Sequence, residues 1–260
     1  MISEAWALQA TLRLVAFSVL IQSLEMISIR ASWQETGPWA WSRLRQEFRL
    51  FGAAPVWVCD RLLHSRGYMS LILLQIALCG TCILIPDLRL APPIFILVFL
   101  GCLRWRGTFN GGSDYMTVLI LLALSVAACL GGGKITSYAL GYIGLQVLAS
   151  YFVAGLVKIQ EREWRSGGAL RVFLSSSQEQ VSPWLMVLLS RRSFCFCAAW
   201  VVMLFELSSP AILILGRNFN FLLLWISAAV LFHLANTFTL GLNRFVWAWL
   251  AGYFGLIRLI

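Results

Sequence analysis

Residues 151–170 read YFVAGLVKIQEREWRSGGAL. An apolar helical run ends there on Lys158, passes through a charged break and Trp164, and stops at a pair of glycines. The run continues N-terminally to residue 138, which makes it long enough to cross a bilayer as a helix. Hydrocarbon penalises charge, so an ionisable group closing such a segment marks a functional site by default.

The rest of the chain has the same character. Of its 260 residues 60% are hydrophobic and 12% charged, and the mean hydropathy is +0.82. Those values exclude a water-soluble domain. Apolar runs at 5–29, 68–85, 91–105, 115–130, 138–159, 194–215, 218–238 and 242–260 predict about eight spans, within limits of six to nine. The runs are continuous, not alternating, so the expected fold is an all-α polytopic helix bundle and not a barrel. With no internal repeat or hinge, residues 1–260 read as a single domain. The N-terminus, MISEAWAL, lacks the basic start of a secretory signal, and the first helix is expected to be retained.

The net charge of +9 would suggest nucleic acid in a soluble chain, but here it reports topology. With alternating spans, fifteen basic residues share one face, among them Arg43, Arg45, Arg104, Lys158, Arg165, Arg192 and Arg244. Only Arg89, Lys134, Arg217 and Arg258 fall on the other. The crowded face is therefore expected to be cytoplasmic, with both termini periplasmic in a bacterial inner membrane. A re-entrant third segment would split the basic loops between faces, which argues that it spans. Tryptophans near segment ends (Trp33, Trp39, Trp41, Trp105, Trp164, Trp184) fit an interfacial belt. Two amphipathic helices are expected on the membrane surface. One covers 41–51, with Trp41, Leu44, Phe48 and Phe51 on one side; the other starts at Ser182-Pro183 and runs to Arg192. The expected partners are membrane lipids and, in one reading, other membrane subunits.

Five ionisable residues fall inside the spans: Arg13, Glu25, Lys158, Glu206 and His233. Counted along their helices, Arg13 and Glu206 lie ~12 and ~13 Å below the periplasmic end, so they are the expected structural ion pair. Glu25, His233, Lys158 and Asp114 gather near the cytoplasmic end, with Asn236 one turn after His233. A lysine withdrawn from water has its neutral form favoured and can act as a base, and a nearby histidine can relay its proton. Cys79-Gly-Thr-Cys82 puts two thiols on one helical face, where a quinone-linked thiol oxidoreductase would present them, although free cysteine is equally a common buried residue. The two histidines and scattered cysteines show no metal-ligand spacing.

Tyr151-Phe152-Val153-Ala154-Gly155-Leu156-Val157-Lys158, followed by Trp164 and Gly167, resembles the HTTM membrane domain, which is related to the membrane part of vitamin K-dependent gamma-carboxylase. Phe232-His233-Leu234 through Gly241, Asn243 and Phe245 is similar to the family's histidine-bearing helix, and Phe109-Asn110-Gly111-Gly112-Ser113-Asp114 to a third family motif. The resemblance implies that Lys158 takes the place of the lysine proposed to deprotonate reduced vitamin K. It implies a pocket with Lys158, His233 and Asp114 as the reacting groups, and Glu25, Asn236, Asn110 and Trp164 around a quinone-like or lipid-like molecule. The family's asparagine-and-histidine motif reads Asn110-Gly111-Gly112-Ser113-Asp114 here, without its histidine, and the charge bias puts Lys158 on the cytoplasmic side. Both departures argue against simple transfer of carboxylation.

Overall fold

Helix ends in this chain are set by polar caps and prolines. Ser3 accepts from the Trp6 N–H to start the first helix, and Asn218 accepts from the N–H groups of Asn220 and Phe221 to start the penultimate one. Prolines occupy the opening turn of the helix that begins at Ala91. The computed structural model describes residues 3–46, 53–107, 110–176 and 183–260. Among these the regular structure is helical, with no strands.

The elements are α1 (Glu4–Ser28), α2 (Arg30–Trp33), α3 (Trp41–Leu44), α4 (Ala53–Leu63), α5 (Ser65–Leu84), α6 (Ala91–Trp105), α7 (Gly112–Cys129) and α8 (Lys134–Gln160). They continue with α9 (Arg162–Arg165), α10 (Gly168–Ser176), α11 (Pro183–Ser190), α12 (Arg192–Leu207), α13 (Ile212–Leu215), α14 (Phe219–Leu240) and α15 (Asn243–Leu259). Seven described stretches are long and apolar enough to cross a membrane: α1, α5, Leu88–Trp105, α7, α8, Arg192–Leu215 and α14. The eighth expected span is α15, whose 17 residues extend ~25 Å. Large apolar side chains point outward along these helices, including Leu84, Val201, Leu231 and Phe238. Such outward apolar faces suit lipid as solvent, and the chain is a multi-pass integral membrane protein.

The chain divides into two compact units, residues 3–139 and 140–260, with the boundary inside α8. In the first unit α1 packs on α5 and α7, and α6 packs on α5 and α7. Its fixed point is Arg104, whose side chain is fully buried at the end of α6. Arg104 Nε donates to the Leu63 carbonyl at 3.0 Å, and Nη2 donates to the carbonyls of Trp33 (3.2 Å) and Trp39 (2.7 Å). The rings of Trp41, Tyr68 and Trp105 surround it at 5.5–5.7 Å. A guanidinium suits this place because its planar fork reaches several carbonyls while its faces stack on aromatics.

This clamp corrects part of the expected belt. Trp33 and Trp41 are buried in protein, donating through their indole nitrogens to Met26 O and Asp60 Oδ1, both at 2.7 Å. The surface helix expected over 41–51 is helical over Trp41–Leu44, and Trp41 and Leu44 pack on Leu63 instead of entering lipid. Phe48 and Phe51 fall outside the described residues. The second surface helix is found as Pro183–Ser190, while its expected cap Ser182 also falls outside them. Arg104 and Arg244, counted among the cytoplasmic charges, are both buried.

In the second unit α8 and α15 meet through residues without bulk. A Cβ on Gly144 would fall 2.6 Å from the Gly255 carbonyl carbon, and one on Gly252 would fall 2.5 Å from Val147 Cγ2. Gly144 facing Gly255 and Val147 facing Gly252 make the helices antiparallel. Close approach through small residues is how membrane helices gain contact where lipid removes the hydrophobic drive.

Two variants test these contacts by thermal unfolding in detergent. Arg104→Lys leaves at least one of three buried carbonyls unbonded, and the expected loss is about 1–3 kcal/mol. Gly255→Leu forces a side chain into the Gly144 backbone, with an expected loss of at least 1–3 kcal/mol. An unchanged melting temperature in either would remove that contact from the fold's support.

Candidate functional site

Tyr151, Ala154 and Lys158 follow one another at three- and four-residue steps, so they share one face of α8. That face lines a cavity of about 320 Å³ whose other walls include Val202 and Glu206 of α12, Phe232, His233 and Asn236 of α14, Phe245 and Trp249 of α15, and Trp164. Every wall residue belongs to the second unit. Most are aromatic or aliphatic, which is the usual composition of a small-molecule site with few polar groups.

The first polar feature is an ion pair. Lys158 Nζ donates to both carboxylate oxygens of Glu206, at 2.7 and 2.8 Å. Glu206 is 3% exposed and Lys158 19%. Gly155 makes the approach possible: a Cβ there would lie 2.9 Å from both Glu206 Cβ and Leu207 N. Beyond the pair, Arg165 Nη1 caps the carbonyls of Ile159 and Gln160 at the end of α8, and Trp200 Nε1 donates to the Arg165 carbonyl. Gly167, at φ +79°, lies against the backbone of Cys195 and Phe196 where no side chain fits. These contacts set α9 so that the Trp164 ring stands 5.2 Å from Lys158 Nζ, within cation–π range.

The second feature is a hydroxyl chain. Tyr151 Oη lies 2.6 Å from His233 Nε2 and 2.6 Å from Tyr253 Oη. All three side chains are buried. The Tyr151 ring is held edge-on by Phe205 and Trp225, and the His233 and Trp249 rings stand 4.9 Å apart.

A protein-family model, the HTTM domain, matches residues 125–256, half of the chain. The chain belongs to the HTTM family. No curated protein and no solved structure matches it. The HTTM match contains the whole cavity wall, with Lys158, Trp164, Glu206, His233 and Asn236 inside it.

The expected pair of Arg13 with Glu206 is corrected. Both Glu206 oxygens are taken by Lys158, and Arg13 Nε donates to the Ile83 carbonyl at 3.2 Å. Counting residues placed Lys158 at the cytoplasmic boundary and Glu206 ~13 Å below the periplasmic end, yet the Gly155 contact brings them together. Glu206 lies ~21 Å along α12 from Arg192, well inside a membrane-crossing stretch. Asp114, Asn110 and Glu25 belong to the first unit of this HTTM protein. There Asp114 accepts from the Asn110 N–H at 2.8 Å and from Gln22 Nε2 at 3.4 Å, closing the first turn of α7. Cys79 and Cys82 are buried free thiols on α5, and Cys82 Sγ donates to the Leu12 carbonyl. That is the ordinary setting of a small packing residue. Among the described residues no cluster of three His, Cys, Asp or Glu is placed to hold a metal ion.

Sequence reasoning overlooked Tyr151, Tyr253 and Trp249. The seven-residue step from Tyr151 to Lys158 would have flagged Tyr151, since two helical turns return to the same face.

Removing one member of a buried pair strands the other charge, whereas removing both leaves an apolar contact. Lys158→Met and Glu206→Leu are each expected to lower stability by about 3–5 kcal/mol, and the double variant by less than either single one. A double-mutant cycle on melting temperature checks this, and additive losses would show that the two side chains do not act as a pair.

Proposed function

We propose that this HTTM protein binds a lipid-soluble molecule with a polar head, of the quinone kind, in the second unit's cavity, and that Lys158 exchanges a proton with that head. The observation that carries the reading is the Lys158–Glu206 pair in the wall of an otherwise aromatic and aliphatic cavity. A quinone-like group fits the residues present: its ring finds aromatic walls, and its oxygens find the polar atoms of Lys158, His233, Asn236 and Trp249. When bound, such a group supplies an oxygen that takes up or releases a proton.

The chain's own residues account for the rest. Glu206 holds Lys158 Nζ at the wall, and as a proton acceptor it can leave a neutral amine that acts as a base. Trp164 faces Nζ and limits its approach to water. His233 and Asn236 sit one turn apart on α14 and give the head further polar contacts. Asp114, Asn110 and Glu25 have no part in this reading, which uses the second unit alone. We place the protein in a bacterial inner membrane, with α15 as the eighth span and both termini periplasmic. The charge bias supports that orientation.

The test is a ligand titration on protein purified in mild detergent, using a short-chain benzoquinone and its reduced form. Lys158→Met is expected to weaken binding of the reduced form at least tenfold, the scale of one charge-assisted hydrogen bond. Unchanged affinity would remove the lysine from the mechanism. Co-purification with a larger complex, and no small molecule found by mass spectrometry, would favour a non-catalytic membrane subunit instead.

A further inference from the structure

Two nitrogens in the cavity wall are buried and make no hydrogen bond among the described residues: His233 Nδ1 and Trp249 Nε1. His233 is 3% exposed and Trp249 7%. An indole Nε1–H is a donor only. The character of His233 Nδ1 follows from its neighbours. Tyr253 and Tyr151 each carry one hydroxyl proton, and two short contacts link Tyr253 Oη to Tyr151 Oη and Tyr151 Oη to His233 Nε2. If Tyr253 donates to Tyr151 and Tyr151 donates to Nε2, both hydroxyl protons are bonded and the imidazole carries its hydrogen on Nδ1. The reverse order leaves the Tyr253 proton without an acceptor among the described residues, in a residue that is 3% exposed. Each order leaves one hydrogen unbonded, Nδ1–H in the first and the Tyr253 hydroxyl in the second. A buried polar hydrogen needs an acceptor, and of the two residues only His233 lines the cavity, where a ligand or water can supply one, so the first order is preferred and Nδ1–H is a donor. Two N–H donors thus stand on rings 4.9 Å apart at one wall. Trp225 Nε1 also lacks a partner, but Trp225 is not a wall residue.

The charge of the wall narrows what those donors receive. Lys158 and Glu206 are its charged residues, and they neutralise each other. A carboxylate or phosphate head would bring an uncompensated charge into a low-dielectric cavity, whereas a carbonyl oxygen brings only an acceptor. We infer that His233 Nδ1 and Trp249 Nε1 form a two-donor seat for a carbonyl oxygen, which selects a neutral, lipid-soluble carbonyl compound over a fatty acid or an anionic lipid. The inference rests on the proposed ligand cavity and adds the group that is recognised, the residues that recognise it, and Tyr253 as a positioning residue that fixes the imidazole tautomer from behind the wall.

The experiment titrates the full-length protein in detergent with three probes: a decyl benzoquinone, decylbenzene and palmitate. Wild-type protein is expected to bind the quinone at least tenfold more tightly than either of the others. Trp249→Phe keeps a ring and removes the donor; it is expected to weaken the quinone about three- to tenfold and to leave decylbenzene unchanged. Tyr253→Phe is expected to weaken the quinone as well, although Tyr253 does not line the cavity. The chain has two histidines, so in a His64→Gln background the ¹⁵N imidazole shifts report His233 alone, with Nδ1–H in the unliganded protein and a tautomer mixture once Tyr253 is Phe. An Nε2–H tautomer in the wild type, equal loss of quinone and decylbenzene in Trp249→Phe, or palmitate binding as tightly as quinone would each overturn the two-donor seat alone. Failure of the wild type to bind any probe would overturn the ligand cavity itself.

Discussion

The hydrogen-bonded pair of Lys158 and Glu206 constrains the second unit more than any other contact. Each side chain alone would be excluded from a membrane-crossing stretch, at about 2.5–3.5 kcal/mol on the lenient insertion scale. Together, at 2.7 and 2.8 Å, they fix the register of α8 against α12. A slip of one residue in either helix would separate both bonds. The pair also explains why the two helices approach so closely at Gly155, since a side chain there would hold the carboxylate away from the amine. A cavity beside such a contact keeps its shape, because the charged wall cannot relax inward without breaking its own bonds.

The first unit treats a buried cation differently. Arg104 has three backbone carbonyls and three aromatic rings around it. Carbonyl dipoles hold its charge and leave no ionisable acceptor whose proton could be exchanged. That arrangement ties the 33–39 loop to the ends of α4 and α6, which is an anchoring role. In the second unit the partner is a carboxylate and the cation is a lysine, a compact ammonium on a flexible stem. The chemistry around Arg104 and Lys158 thus separates support from candidate function.

Much of the fold was legible because membrane spans are written as continuous apolar length, a signal that needs no partner to be read. Seven of the eight expected runs, 5–29 through 218–238, reappear as helices of spanning length, and residues 242–260 reappear as α15, one residue short of that length. Lys158, Trp164, His233 and Asn236 were legible for a related reason: a polar residue in or closing an apolar run stands out. Partner choice was not legible. Arg13 and Glu206 were paired by counting 1.5 Å per residue from assumed surfaces, and that count assumes straight, complete spans. The stretch from Arg192 to Leu215 is broken by a 3₁₀ turn at Ser209–Ala211, and α8 extends beyond its expected start, so the depth scale slipped. The burial of Trp33 and Trp41 was hidden in the same way, because an aromatic belt and an aromatic cage around Arg104 have the same composition.

One stripe on α8 joins these results. Leu140, Gly144, Val147, Tyr151, Gly155 and Lys158 recur at steps of four, three, four, four and three, the spacing of a single helical face. The first half of the stripe meets α15 at glycines, where Gly144 faces Gly255 and Val147 faces Gly252. At Tyr151 bulk returns, and the hydroxyl reaches Tyr253 and His233 across the gap that bulk creates. Gly155 then closes on α12, and Lys158 ends the stripe in the ion pair. Tight contact therefore occurs at Gly144 and again at Gly155, and the cavity opens beside Tyr151 and Ala154 and runs on past the second contact to Lys158. Where the cavity opens is thus a consequence of the order of residue sizes along one helix.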